Sequence, residues 1–337
     1  MSILPRFLIP TLRGQVSAIC SLNHAPRMTL SSKVDYLTLE NVKNDTKMCQ
    51  QLMNSGESVV LYDRQYVVQQ EPDKKGCSLY ISSFDELKDL TIKNSVLLTV
   101  RNNVALFATS VDDVSHLINN GMQLIAPRPA LFLLPEKDQN LVTMGLNLLQ
   151  WQVDNKYCSK CRTELKYHLS GRSSRCDSCD LTYFPRYNPV VIMLVVCGQY
   201  CLLGRNRQFP SRMFSALAGF IDVGERIEEA VVREVYEEVC VDVDITQVRY
   251  VTSDFWGGFR RNYSPELMVG CVATVDEMQE PSCSEEIAEA RWFHKDEIRE
   301  ALEKSKIPGS NLAGEGLMVP PPFATAHKLA ARWCNEC

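Results

Sequence analysis

Two pairs of cysteines set the tightest constraint on how this chain can fold. Cys158-Ser-Lys-Cys161 and Cys176-Asp-Ser-Cys179 are each a CxxC knuckle, and 14 residues lie between them. A CxxC turn points two thiols the same way. Two such turns facing each other supply four sulfurs to one tetrahedral ion. The spacing predicts a zinc ribbon in which Cys158, Cys161, Cys176 and Cys179 hold a closed, and therefore structural, Zn²⁺. A redox dithiol or unliganded cysteines are the alternatives. His168, between the knuckles, reads as a loop residue rather than a ligand. The other ten of the 14 cysteines, Cys334 and Cys337 among them, lack such spacing and read as buried or free thiols. Short paired spacings in a long, mildly acidic chain indicate a reducing, intracellular compartment.

The 337 residues leave room for two domains and a small inserted module. Apolar residues make up 45% of the chain, enough for a sizeable core, and the net charge is −5. That charge argues against a generic basic nucleic-acid binder, although a phosphate-bearing ligand can still bind through a metal and a few arginines. No apolar run reaches the ~18–20 residues of a membrane helix, so no membrane partner is expected. Residues 1–34 contain no Asp or Glu but carry Arg6, Arg13, Arg27 and Lys33. This composition matches a mitochondrial transit peptide. The alternative is a disordered segment that happens to lack acids, which leaves the cytoplasm or the peroxisome.

The pattern divides the rest into an N-terminal domain over 35–150, the cysteine module over 151–183 and a C-terminal domain over 184–337. Ser58–Gln69 and Ser95–Ser110 read as strands, with Asn102-Asn103 as a hairpin turn. Leu141–Val153 has helical spacing and leads into the first knuckle. Val190–Val196 reads as a buried strand with Tyr200–Gly204 as its hairpin partner. A helix follows over about Glu225–Val239. Further strands are expected at Val248–Ser253, Leu267–Val275 and Ala290–Phe293, and a last helix over Phe323–Trp333. Strands and helices mix without a strict βαβ rhythm, so the class is α+β.

On the helix after Glu225, Glu234, Glu237 and Glu238 stand at i, i+3 and i+4 and share a face. Three like charges repel and contribute little by themselves. A hard divalent cation resolves the conflict, because Mg²⁺ prefers oxygen ligands. Such a cluster can bridge metal to a diphosphate, polarise its oxygens and lower the pKa of a bound water. Arg233 can orient a neighbouring glutamate. A solvated, Glu-rich helix face is the bland alternative.

The whole pattern runs Gly219, five residues, Glu225, seven residues, Arg233-Glu234-Val235-Tyr236-Glu237-Glu238, and then Val241. It resembles the Nudix box. Cys240 stands where that box has Gly, at a position expected to end the helix in a left-handed conformation. With the ribbon placed before the box, residues 145–335 resemble the NADH pyrophosphatase group. Supporting pieces are Tyr183-Phe184-Pro185-Arg186, Leu217-Ala218-Gly219-Phe220, Glu286–Phe293 and Pro320–Leu329. The resemblance implies a Nudix α/β/α sandwich with a mixed sheet, preceded by the zinc ribbon and an N-terminal α+β domain. It implies a homodimer that hydrolyses a dinucleotide such as NADH or NAD⁺ to NMN(H) and AMP with Mg²⁺ or Mn²⁺. Removal of NAD caps from RNA belongs to the same group.

Carried over, Glu234, Glu238, Glu286 and the carbonyl of Ala218 are the metal ligands. Glu237 is a further ligand or helps to activate the water. Phe184, Trp256, Phe259 and Ala326 fall where substrate is contacted. The segment Ser253–Met268 departs from the group: its stiffening prolines are largely gone, and Gly257-Gly258, Arg260 and Arg261 have entered. Two other functions therefore remain open, hydrolysis of another nucleoside diphosphate derivative and a non-catalytic nucleotide-binding module.

Overall fold

The structure is a computed structural model that describes residues 39, 42–54, 56–62, 65–70, 77–87, 92–101, 104–257, 265–306 and 316–336. Segment 1–34, the Asn102-Asn103 turn, Gly258, Phe259, Arg260, Arg261 and Cys337 lie outside the described residues.

The described strands form three sheets. The first contains β1 (Glu57–Tyr62), β2 (Gln65–Gln70), β3 (Cys77–Leu79), β4 (Ile81–Ser83), β5 (Ile92–Arg101), β6 (Val104–Val111) and β7 (Gln123–Ile125). Their order is β3-β2-β1-β6-β5, with β4 on β1 and β7 on β2. The expected hairpin is present: β5 and β6 pair antiparallel up to Arg101 and Val104. Helices α1 (Thr46–Asn54), α2 (Phe84–Leu87), α3 (Ser115–Asn119), α4 (Pro127–Leu133) and α5 (Glu136–Asp154) accompany this sheet. On α5 the residues Leu141, Val142, Leu146 and Leu149 come to one face and pack on Val59, Leu61, Val96 and Leu98. Gly145 permits the approach, since a Cβ there would lie 2.9 Å from Ala108 Cβ and from Tyr66 Oη.

The cysteine module holds a three-stranded sheet of β8 (Lys166–Tyr167), β9 (Ser174–Arg175) and β10 (Thr182–Tyr183). Arg172 anchors it to the first sheet, donating from Nε to Leu97 O at 2.6 Å and from Nη2 to Leu98 O at 2.8 Å. His168 contacts Thr46 and Ser170.

The third sheet comprises β11 (Asn188–Cys197), β12 (Tyr200–Asn206), β13 (Leu217–Phe220), β14 (Val248–Trp256), β15 (Glu266–Thr274) and β16 (Ile287–His294). It is mixed, in the order β14-β15-β11-β12-β16 with β13 beside β11; β11 and β15 run parallel. The unbroken apolar run of β11 follows from burial on both sides. Val191, Met193 and Val195 pack with Val231 and Val235 of α6 (Ile227–Val239). Ile192, Leu194 and Val196 pack with α7 (Lys295–Ser305) and α8 (Thr325–Asn335), through Ile298, Leu302, Leu329 and Trp333. This is the expected α/β/α sandwich.

Two helix starts differ from expectation by two residues. The turn before α6 is held by Gly224 at φ +91 and by Asp222 N–H donating to the Glu225 carboxylate at 3.0 Å. Glu225 therefore precedes the helix. Ahead of α8, Ala324 N–H donates to Pro321 O at 2.9 Å, which delays the helix to Thr325. Helix α7 was not anticipated. Its signal is a capping box between His294 and Glu297, with Ile298, Ala301 and Leu302 buried below it. No helix among the described residues is long and apolar enough to cross a membrane.

Candidate active site

Strand β13 runs through a turn into α6, which brings Gly219 under Glu234 and the backbone of Ala218 to Glu238. Arg233 organises that turn. Its guanidinium has five N–H groups, and five bonds use them. Nε and Nη2 hold the two oxygens of Glu225 at 2.7 and 2.9 Å, and Nη2 also reaches Phe220 O at 2.8 Å. Nη1 reaches Glu234 and Glu237, each at 2.8 Å. A planar fork with this many fixed partners cannot be replaced by an ammonium. Arg233 holds the Glu225 carboxyl below the usual carboxylate range.

Gly219 is required for space. A Cβ at that position would stand 1.9 Å from Glu234 Cδ and 2.1 Å from each carboxylate oxygen. The Glu234 carboxylate thus rests on bare backbone. Burial is the main reason that its pKa is raised, with Arg233 opposing.

Glu238 is buried, at 9% exposure. The backbone N–H of Ala218 donates to it, but its Oε2 has no partner. Burial first, then the neighbouring Glu234 and Glu286, push its pKa up to about 8. A buried carboxyl oxygen without a donor is unfavourable by about 1–3 kcal/mol. Glu286, exposed just before β16, supplies the third carboxylate. A buried carboxyl with an unpartnered oxygen, faced by two further carboxylates, fits a hard divalent cation. They are spread more widely than the thiols: among the described residues, the set whose ligand atoms all lie within 4.8 Å of one another is Cys158, Cys161, Cys176 and Cys179.

The two knuckles repeat one geometry. Arg162 and Asp180, each just after its knuckle, have φ 64 and 56. Their N–H groups donate to Cys158 O and Cys176 O at 2.9 Å. The thiols crowd, with Cys161 Sγ and Cys176 Sγ 3.4 Å apart. Tyr183 Oη draws the Cys158 thiol down to about 6, while the neighbouring Cys161 pushes Cys179 up to about 12. Four sulfurs this close suit one metal ion, which stabilises all four as thiolates. Of the other described cysteines, Cys49, Cys77, Cys201, Cys271 and Cys334 are buried.

Cys240 ends α6 at φ 54, ψ 34, the left-handed conformation expected of the glycine it replaces. The helix thus keeps the cap geometry with a less suitable residue.

A cavity of about 550 Å³ opens beside Glu238. Ala218, Trp256 and Ala326 line it together, although they come from three distant segments. Phe184 does not join them. It is exposed on a second cavity of about 1290 Å³ between α5, the cysteine module and β14. Two lining residues of the first cavity, Arg128 and Phe132 of α4, lack any local signal in the sequence, and Phe323 before α8 lies in the Pro320–Leu329 segment without having been singled out.

Comparison with known proteins agrees with this geometry. The family model described as NUDIX domain matches residues 186–311. The chain is 31% identical over 209 residues to the NAD-capped RNA hydrolase NudC of Chromobacterium violaceum, covering 62% of this chain and 69% of that protein. The chain belongs to the Nudix family. Within it, the similarity places the chain in the NADH pyrophosphatase group. The mouse NAD(P)H pyrophosphatase NUDT13, mitochondrial, is 37% identical over 220 residues, 63% of this chain and 60% of that protein. The human NAD-capped RNA hydrolase NUDT12 is 36% identical over 245 residues, 68% and 50%. The chain therefore spans half to three fifths of the length of these mammalian relatives. The Nudix box of this chain is the segment Gly219–Val241, in which Arg233 ties Glu225, Glu234 and Glu237 together and Glu238 meets the backbone of β13.

Proposed function

We propose that this Nudix chain hydrolyses the pyrophosphate bond of NADH or NAD⁺ to NMN(H) and AMP, and that NAD-capped RNA is a further substrate. The observation that carries the proposal is the placement of Glu238. Glu238 keeps an unpartnered oxygen and lines a cavity whose remaining wall is mostly apolar, with the rings of Phe132, Phe209, Trp256 and Phe323 in it. A diphosphate joined to flat rings has the same polarity. The activities for which these relatives are named support this substrate class.

In this reading Glu234, Glu238, Glu286 and the carbonyl of Ala218 hold Mg²⁺ or Mn²⁺. Held there, such a cation would neutralise phosphoryl charge and lower the pKa of a water. The chain does the rest. Arg233 fixes Glu234 and Glu237 in register, so the carboxylates need little rearrangement when substrate arrives. Glu237, the more exposed of that pair, is placed to ligate further or to accept the proton of the attacking water. The bond that breaks joins one phosphorus to the bridging oxygen, and one mononucleotide leaves as a monophosphate. Trp256 and Ala326 border the substrate. Phe184 borders its own cavity, and a homodimer that residues 35–150 help to build is part of the same reading. The four cysteines hold Zn²⁺ as a structural ion.

A panel of NADH, NAD⁺, NAD-capped RNA and other nucleoside diphosphate derivatives, read by product chromatography, tests the proposal. Cleavage of no dinucleotide would refute it. Glu238→Gln should abolish turnover while leaving the fold and the zinc content intact. The changed Ser253–Met268 segment favours a second reading, in which another nucleoside diphosphate derivative is preferred, and the same panel decides between them. The acid-free N-terminus and the mitochondrial location in the mouse relative's name support a mitochondrial address. Fusion of residues 1–34 to a fluorescent reporter tests it.

A further inference from the structure

Helix α4 sends two kinds of side chain in opposite directions. Ala130 and Leu131 are buried in the core beneath the first sheet. Phe132 stays 42% exposed, yet it lines the cavity at Glu238 rather than open surface. Its ring meets Phe323 edge to face, with centroids 4.8 Å apart at 86°. Phe323 packs against the core of the first sheet and stacks on Trp256, at 6.2 Å and 19°. Trp256 in turn packs against the core of the third sheet. Three aromatic rings thus run from the N-terminal sheet to the catalytic sheet along one wall of one cavity. A large apolar ring left accessible inside a concave site marks a ligand contact. Its chemistry is narrow, since an aromatic wall favours a flat ring and offers nothing to a bare sugar phosphate.

We propose that Phe132 and Phe323, with Trp256, bind the heteroaromatic ring of the substrate. Helix α4 of the N-terminal sheet then determines ring specificity for the catalytic domain of the same chain. The inference rests on reading this cavity as the dinucleotide pocket. Phe132 and Phe323 hold the ring and leave the carboxylates to act on the diphosphate.

The test uses the full chain without added divalent metal. Tryptophan fluorescence follows titration with reduced nicotinamide mononucleotide, AMP and ribose 5-phosphate, the last having no ring. Phe132→Ala and Phe323→Ala should each weaken a ring-bearing mononucleotide about tenfold and leave ribose 5-phosphate within twofold. Phe132→Tyr should restore binding. With metal present, the KM for NADH should rise about tenfold in Phe132→Ala while kcat stays within twofold. Equal weakening of the ringless phosphate, unchanged binding of both mononucleotides, or no mononucleotide binding to the native chain would overturn the proposal. Phe132 is partly exposed, so Phe132→Ala should fold; Phe323→Ala gives a second, independent reading. Ring-dependent binding in a chain that cleaves no dinucleotide would uphold this inference and refute the proposed function.

Discussion

Replacing Gly219 by Ala tests the carboxylate arrangement most sharply. The new Cβ would stand 1.9 Å from Glu234 Cδ and 2.1 Å from both oxygens. Ordinary contacts begin near ~3.5 Å, so the carboxylate must withdraw by roughly 1.5 Å. The obstructing atoms are the end of a flexible side chain, and a rotation of Glu234 relieves the clash without moving backbone. That rotation breaks its 2.8 Å bond to Arg233 Nη1. The energetic loss is small, within about 1 kcal/mol for a partly exposed pair. Gly219 is not among the residues with positive φ, so Ala also gains about 0.4–1 kcal/mol from a less flexible unfolded chain. The two terms nearly cancel. Catalysis has no such compensation, because a displacement of about 1 Å from productive geometry lowers the rate about 10²-fold. Gly219→Ala should therefore melt within about 2 °C of the native chain and turn over NADH about 10²-fold more slowly at saturating substrate and Mg²⁺. Turnover within threefold of native would refute the claim that Glu234 must sit on Gly219. A melting point lowered by about 10 °C or more would make Gly219 a folding residue instead.

Three other perturbations separate stability from function. Cys240→Gly replaces a side chain held at φ 54 with the residue that adopts this conformation freely. It should stabilise the chain by about 1 kcal/mol and raise the melting point by roughly 2–4 °C with turnover unchanged, as seen by calorimetry. Cys176→Ser removes one of four converging thiols. It should reduce bound zinc to well below one ion per chain by elemental analysis and lower the melting point, because closing the site and folding the module are linked. His327 is the pH-dependent case. It is buried, and Pro320 O, which can only accept, lies 3.0 Å from Nδ1, so Nδ1 carries the proton of the neutral ring. Burial lowers its pKa, and the bond to the Pro320 carbonyl opposes that shift only in part. The unfolded chain protonates it near ~6.5 while the folded chain does not. Its contribution is thus fully present above about pH 6.5 and is lost as pH falls from there through the depressed folded value. Urea midpoints between pH 5 and 7.5 should fall on the acid side, and His327→Asn should flatten that slope; parallel slopes would show that His327 is not responsible.

The zinc ribbon, the box and most elements of the catalytic sheet were legible in the sequence, because each is written in local spacing. Two residues between cysteines make a knuckle wherever the knuckle sits. Glutamates at i, i+3 and i+4 share a face on any helix. The left-handed position of Cys240 was legible for the same reason, since a helix end demands it whatever surrounds it. Tertiary structure decided what those residues meet. That Gly219 lies under Glu234, that Glu238 keeps an unpartnered buried oxygen, and that Ala218, Trp256 and Ala326 share a cavity while Phe184 occupies another all depend on how β13, β14 and α8 pack. The reach of Phe132 to Phe323 joins segments from different sheets, and no periodicity encodes it. Spacing along the chain sets which groups can act together within one element. Which elements meet is set by burial, to which the whole chain contributes.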